Sequence, residues 1–275
     1  MKRILLLLGV FALLTSLAPK KEMTWCAIGD SITWLDGRYD QSNDRITEGY
    51  ESRVVDKLPN IHFTNHGHSG WTTKSMAAAI EKEKLEKADI YSVYFGTNDW
   101  WGSLQPGTLA DYQNSTGTGT MYGAYRVIID KIRSLNPDAH VILISPMQRG
   151  DFVYVKKATN NAYGSYKEKN GHTLADFADV VKTIAETEKF DFVDLYGKSG
   201  ITPKNTVKYK RLKDQQTGEY KNYKYPEYTT IPFDPEKDEY PYPVDAIDMT
   251  YDGLHPSDKG MAVIADMLIK VMKKY

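Results

Sequence analysis

The sequence predicts an α/β protein: a parallel sheet with helices on both faces, making a three-layer α/β/α sandwich. Three observations predict it. Five short apolar runs recur at residues 23–28, 61–64, 90–95, 141–145 and 190–195. Between them lie segments whose apolar residues repeat at helical spacing. Polar, glycine-bearing turns follow the first three runs. Strands that alternate with helices pair in parallel, because each crossover returns the chain to the same edge of the sheet.

The elements follow in order. Met1-Lys2-Arg3 is a short basic region, and residues 4–14 are almost purely apolar. Thr15-Ser16-Leu17-Ala18 supplies small residues for cleavage. Residues 1–18 are therefore read as a secretory signal peptide, which makes the protein secreted or periplasmic. The apolar run is short for a span of ~20 residues, so no stable membrane insertion is expected after cleavage. Pro19 beside the cleavage point leaves an uncleaved anchor as the alternative. Residues 19–275 are read as one domain, a length that suits a single large core.

The first strand carries Trp25 and Cys26. Cys26 is the only cysteine, so an intrachain disulfide is excluded, and an apolar run predicts a buried structural thiol. Helical patterns cover residues 74–87, 122–135, 174–188 and 259–273. The third of these places Leu174, Phe177, Val180, Val181 and Ile184 on one stripe. Residues 103–120 are rich in Gly, Ser and Thr and read as a long loop. Residues 204–248 are rich in Tyr, Lys and Pro without sustained periodicity, and read as an insertion into the domain. Its aromatic content predicts partial order, and nothing in it marks a second core.

Lys and Arg number 35 against 36 Asp and Glu, so charge supplies no argument for nucleic acid or an anionic membrane as partner. The chemistry lies in the turns. Gly29-Asp30-Ser31 follows the first strand, Asn65-His66-Gly67-His68-Ser69-Gly70 the second, and Gly96-Thr97-Asn98-Asp99 the third. Sites in open parallel sheets form outside the carboxyl ends of the strands, so these turns converge. A serine hydroxyl is a weak nucleophile until a base takes its proton. Near the far end of the chain, Asp252-Gly253-Leu254-His255-Pro256 supplies the base. An Asp three residues before a His can accept its Nδ1–H and leave Nε2 to face Ser31. An ester oxyanion also needs donors, for which Asn98 offers a side-chain amide, and Gly70 and Ser31 offer backbone N–H groups. Asp30 and Asp99 are read as structural, holding their loops through side-chain-to-backbone hydrogen bonds.

These blocks resemble those of the SGNH/GDSL hydrolase family. The matches are Gly29-Asp30-Ser31-Ile32; Asn65, Gly67 and Gly70; Gly96-Thr97-Asn98-Asp99; and Asp252-Gly253-Leu254-His255-Pro256, in family order. The resemblance implies a flavodoxin-like five-stranded sheet, a Ser31–His255–Asp252 triad, and an oxyanion hole from Ser31 N, Gly70 N and the Asn98 side chain. It implies no metal or organic cofactor. The departure from the family pattern is the insertion before Asp252.

Four of the five tryptophans, Trp34, Trp71, Trp100 and Trp101, abut the predicted site. They are expected to form an aromatic rim that stacks on sugar rings. His62, His66 and His68 do not match a zinc-ligand spacing. Asn114-Ser115-Thr116 fits a glycosylation sequon. The expected function is an exported esterase that removes an acyl group, acetyl foremost, from a saccharide. The partner is then a small-molecule or glycan ester. A lipid esterase or thioesterase with the same triad is the alternative, and a non-catalytic sugar-binding protein is the alternative of another class.

Overall fold

The computed structural model of the chain describes residues 20–275. The signal-peptide reading of residues 1–18 lies outside the described residues. Five parallel strands form the central sheet: β1 (Met23–Gly29), β2 (Ile61–Gly67), β3 (Ile90–Tyr94), β4 (His140–Ile144) and, after two short strands, β7 (Asp191–Val193). Their order is β2-β1-β3-β4-β7. Order reverses at β1, whose two neighbours lead off in opposite directions, which opens a crevice at the carboxyl ends of β1 and β3.

β3 is buried along its whole length, and so is β1 apart from Thr24, as expected for strands covered on both faces. Alternate residues of β1 feed two separate cores. Cys26 and Ile28 pack on helices α3 (Thr73–Ala79), α6 (Met121–Leu135) and α7 (Leu174–Glu188). Trp25 and Ala27 pack on helices α2 (Tyr50–Lys57) and α9 (Asp258–Met272). The period of two along a strand thus becomes three layers. The Cys26 thiol is buried, and desolvation pushes it up to about 12, so it is the structural thiol expected.

The helices form where local signals agree with burial. α7 begins at a capping box: Thr173 Oγ1 accepts from Asp176 N, and the Asp176 carboxylate accepts from Thr173 N at 2.7 Å. Its buried stripe includes Leu174, Phe177, Val180, Val181 and Ile184. One helix differs from its pattern. The pattern over 74–87 predicts a single helix, but α3 stops at Ala79, and Lys84 adopts a left-handed φ of 52°. The break lets Ile80 and Leu85 both reach the core, and burial outweighs helix propensity.

The stretch 103–120, expected as a loop, holds a short helix at Leu109–Gln113. The insertion at 204–248 is ordered. It contains an antiparallel hairpin of β8 (Lys210–Lys213) and β9 (Tyr220–Tyr223). Val207, Leu212, Tyr228 and Tyr242 form a small apolar cluster with Val153, a satellite core that polar composition concealed. The insertion buttresses the strand pair β5 (Phe152–Val153) and β6 (Asn161–Ala162). Tyr240 Oη donates to Val153 O at 2.9 Å and Tyr242 Oη to Asp151 O at 2.5 Å. Lys210 pairs with Asp151 at 3.0 Å in a nearly buried bridge.

Candidate active site

Asp30 begins the construction. It caps the one-turn helix α1 (Ser31–Trp34), its carboxylate accepting from Ile32 N at 2.9 Å. The cap turns the chain sharply at the end of β1 and leaves Ser31 on the first helical residue. Asn65 locks the next turn to this one. Its Nδ2 donates to Thr33 O at 2.6 Å, and its Oδ1 accepts from Gly67 N at 2.9 Å. Asp99, beyond β3, accepts from both Thr73 N at 2.9 Å and Thr73 Oγ1 at 2.5 Å, joining the third turn to α3. Both aspartates are therefore structural, as expected. Burial pushes the Asp30 carboxyl up to about 7 and the Asp99 carboxyl to about 6.

The loop 250–256 brings the histidine. Asp252 Oδ1 accepts from His255 N at 2.7 Å and Leu254 N at 3.1 Å, so one carboxylate oxygen closes the turn. The other lies 2.7 Å from His255 Nδ1. His255 Nε2 lies 2.9 Å from Ser31 Oγ, across 224 residues of sequence. Gly253 has φ +89°, and a Cβ there would collide with the Asp151 carbonyl oxygen. Both facts require glycine. Gly150 N donates to Gly253 O and Val153 N to Asp252 O, which clamps the histidine loop to the buttressed β5 strand. The imidazole is held between the stacked ring of Tyr251 and the edge of Phe152, with centroids at 5.8 and 5.4 Å.

Ser31, Gly70 and Asn98 line a cavity of about 320 Å³ together with His255. Asn98 spends one amide hydrogen on Trp71 O at 2.9 Å, which orients the group and leaves its second hydrogen unclaimed. Neither Ser31 N nor Gly70 N donates to any described residue. Gly70 is glycine for its φ of +77°, not for clearance: a Cβ would stand in open space.

The expected tryptophan rim is largely corrected. Trp101 lines the cavity. Trp100 does not: it is 1% exposed, belongs to the core beneath, and donates from Nε1 to His172 O. Successive residues on a helix point about 100° apart, so one of the pair faces the cavity and its neighbour the core. Trp71 lies outside the cavity lining and stacks on His68 at 3.8 Å. Trp34, also outside it, packs under Arg38. His66 and His68 both face Glu83, at 3.8 and 2.8 Å, while His62 pairs with Glu22, so the three histidines of that stretch do not converge on one point.

Sequence reasoning missed the remaining wall: Arg149, Phe152, Tyr154, Asn160, Ala162 and Leu254. A signal was present. Residues 146–150 follow β4 as the other site turns follow β1 to β3, and strand-end position alone marks them. Arg149 is 1% exposed and stands over the rings of Trp100 and Trp101 at 5.0 and 5.2 Å. Burial depresses its guanidinium to about 10, and it remains a cation at neutral pH.

A nucleophile, base and orienting carboxylate in one hydrogen-bonded series, facing free donors across a cavity, can perform acyl transfer. Comparisons with known proteins agree. The model of the GDSL-like lipase/acylhydrolase family matches residues 27–263. A possible lipase from Chitinophaga pinensis superposes with a TM-score of 0.91 at 52% identity, over 92% of this chain and 98% of that one. A Lactobacillus plantarum protein superposes at 0.63 with 18% identity, over 94% of this chain and 99% of that one. An acetyl xylan esterase superposes at 0.52 with 16% identity, over 90% and 98%. The last two share the fold. No curated protein matches the chain. Among the described residues no helix is long and apolar enough to cross a membrane.

Proposed function

The chain belongs to the GDSL-like lipase/acylhydrolase family and is an ester-bond hydrolase; from that premise we propose that it is an exported serine esterase that removes a small acyl group, acetyl foremost, from a carbohydrate. The observation that carries the chemistry is the series Asp252–His255–Ser31, with bonds of 2.7 and 2.9 Å opening into the cavity. Ser31 Oγ attacks the acyl carbon as His255 Nε2 takes its proton, while Asp252 steadies the imidazolium. The oxyanion receives Ser31 N–H, Gly70 N–H and the unclaimed Asn98 hydrogen. His255 then passes the proton to the leaving sugar oxygen, and the acyl group stays on Ser31. Water attacks that acyl-enzyme with His255 again as base, releasing the acid and restoring the serine.

The cavity wall supports a short acyl group on a polar alcohol. Asn98, Arg149 and Asn160 intersperse it, and only Ala162 and Leu254 are aliphatic. Export rests on the apolar, basic-led residues 1–18. Purified protein is expected to release acetate from acetylated sugars, and Ser31→Ala to abolish release. Turnover by Ser31→Ala at the parent rate would sink the mechanism.

A second reading, hydrolysis of a lipid ester or thioester, is favoured by the Chitinophaga pinensis chain described as a possible lipase. A series of acyl esters separates the two. Preference that climbs beyond about six carbons supports the lipid, because each buried CH₂ contributes ~0.8 kcal/mol. A sugar-binding protein without chemistry would leave Ser31 unlabelled by a fluorophosphonate.

A further inference from the structure

The esterase mechanism leaves one group in the cavity without employment. Arg149 lines the same space as Ser31 and His255, yet its side chain is almost fully buried. A guanidinium carries several N–H donors. The fold engages one: Nη2 donates to Tyr163 O at 2.9 Å. Nε is buried with no partner, and Nη1 meets no acceptor among the described residues. Burying a cation is costly unless a counter-charge accompanies it.

Two carboxylates, Asp151 and Asp252, lie near enough to favour the cation, but among the described residues neither bonds to it, and both are held by other partners. Asp151 is claimed by Lys210 at 3.0 Å, Tyr166 Oη at 2.5 Å and Gly164 N at 3.0 Å. Asp252 is claimed by His255 and its own turn. Among the described residues Arg149 enters no ion pair. A second cation stands nearby: Lys169 Nζ lies 3.4 Å from the ring centroid of Trp101, the ring that Arg149 also overlies. Lys169 too is without a carboxylate partner among the described residues. The two feel each other, since the Arg149 charge helps to lower the Lys169 ammonium below its usual range, after desolvation. A cavity wall with a buried cation whose donors are not all engaged, an aromatic ring that a second cation overlies, and no carboxylate in its lining suits an anion that arrives with the substrate.

We propose that this wall is a carboxylate subsite and that the ester is carried by an acidic sugar of the uronate class. The carboxylate docks on Arg149 at the cavity wall, within reach of Lys169, and the sugar ring lies along Trp101. A planar carboxylate suits a guanidinium, which can offer it parallel N–H donors. This inference rests on the carbohydrate-esterase reading above and specifies its substrate.

The test compares O-acetylated methyl galacturonoside with its uronamide, a neutral analogue of the same shape. Wild type is expected to favour the acid by about 10- to 100-fold in kcat/KM, the range of a hydrogen bond to a charged partner. Arg149→Met is expected to bring that ratio to about one, and Lys169→Ala to reduce it several-fold. The ratio is internal to each protein, so a general loss of activity does not imitate it. A wild-type ratio of one or less overturns the inference, as does an Arg149→Met ratio equal to wild type. If Arg149→Met fails to fold, the wild-type and Lys169→Ala ratios decide alone. Turnover of p-nitrophenyl acetate separates the two readings. Ser31-dependent turnover with no acid preference removes the subsite and leaves the esterase. If no ester is cleaved, calorimetry with free galacturonate and galactose decides the subsite alone: tighter binding of the acid supports it, and equal binding overturns it.

Discussion

Replacing Asp252 by Asn probes the site most sharply, because the geometry dictates which way the new amide must point. Oδ1 accepts two backbone N–H groups, from Leu254 at 3.1 Å and His255 at 2.7 Å. An NH₂ cannot replace it there, so the asparagine keeps its oxygen in that place and sets its NH₂ against His255 Nδ1. That nitrogen must then accept, which moves the imidazole proton to Nε2, the atom 2.9 Å from Ser31 Oγ. A protonated Nε2 cannot take the serine proton. The same exchange in a serine-protease triad lowers kcat by about 10⁴, or ~5–6 kcal/mol of barrier. The turn itself should survive, since both N–H groups keep their acceptor. Asp252→Ala removes that acceptor and strands two buried donors, each costing about 1–3 kcal/mol. In a chain this size that lowers Tm by about 5–20 °C. Turnover of p-nitrophenyl acetate and thermal unfolding, measured on both variants, check the reasoning. A kcat for Asp252→Asn within tenfold of wild type would refute the tautomer argument. Equal losses of Tm in the two variants would refute the assignment of Oδ1 to the turn.

Asn98→Ala should lower kcat by about 10²–10³ if its amide meets the oxyanion, and unchanged turnover removes it from that role. Gly253→Ala should cut folded yield and Tm severely, because φ +89° and the Asp151 carbonyl both exclude a Cβ; a Tm within 2 °C of wild type, about 1 kcal/mol or less, contradicts the clash. Asp99 is raised from 3.8 to about 6 in the fold. The folded state therefore binds its proton more tightly, and its contribution is full below pH 4 and is lost as pH rises through about 6. The unfolding free energy of wild type relative to Asp99→Asn, from denaturant titrations, should fall by about 3 kcal/mol across that window, and a flat difference would contradict burial as the cause. Cys26, pushed up to about 12 and buried, should react with a thiol reagent only on unfolding, and prompt labelling of the native protein contradicts its place in the core.

The sequence by itself determined the layered fold and which turns meet at the carboxyl ends of its strands. Alternating strand and helix patterns reflect local burial, and local burial is written residue by residue. Asp252 and His255 were legible because three residues of one turn hold them. Ser31 was legible because its turn carries the residues a sharp strand-to-helix corner needs. Only the tertiary structure decided which neighbours face the substrate. Trp100 and Trp101 are adjacent in sequence, yet one enters the core and the other the cavity, because the rotation of a one-turn helix is set by what packs beneath it. Arg149 went unread for a related reason. An arginine in a Pro-Met-Gln-Arg-Gly turn looks like any surface cation, and its meaning comes from the Trp101 ring, the occupied carboxylates and the cavity that distant segments bring around it. The insertion's composition reported polarity. Its role as a buttress for the strand behind His255 arises from Tyr240, Tyr242 and Lys210 meeting a segment about 60–90 residues away in the chain, and no periodicity along the sequence encodes that meeting.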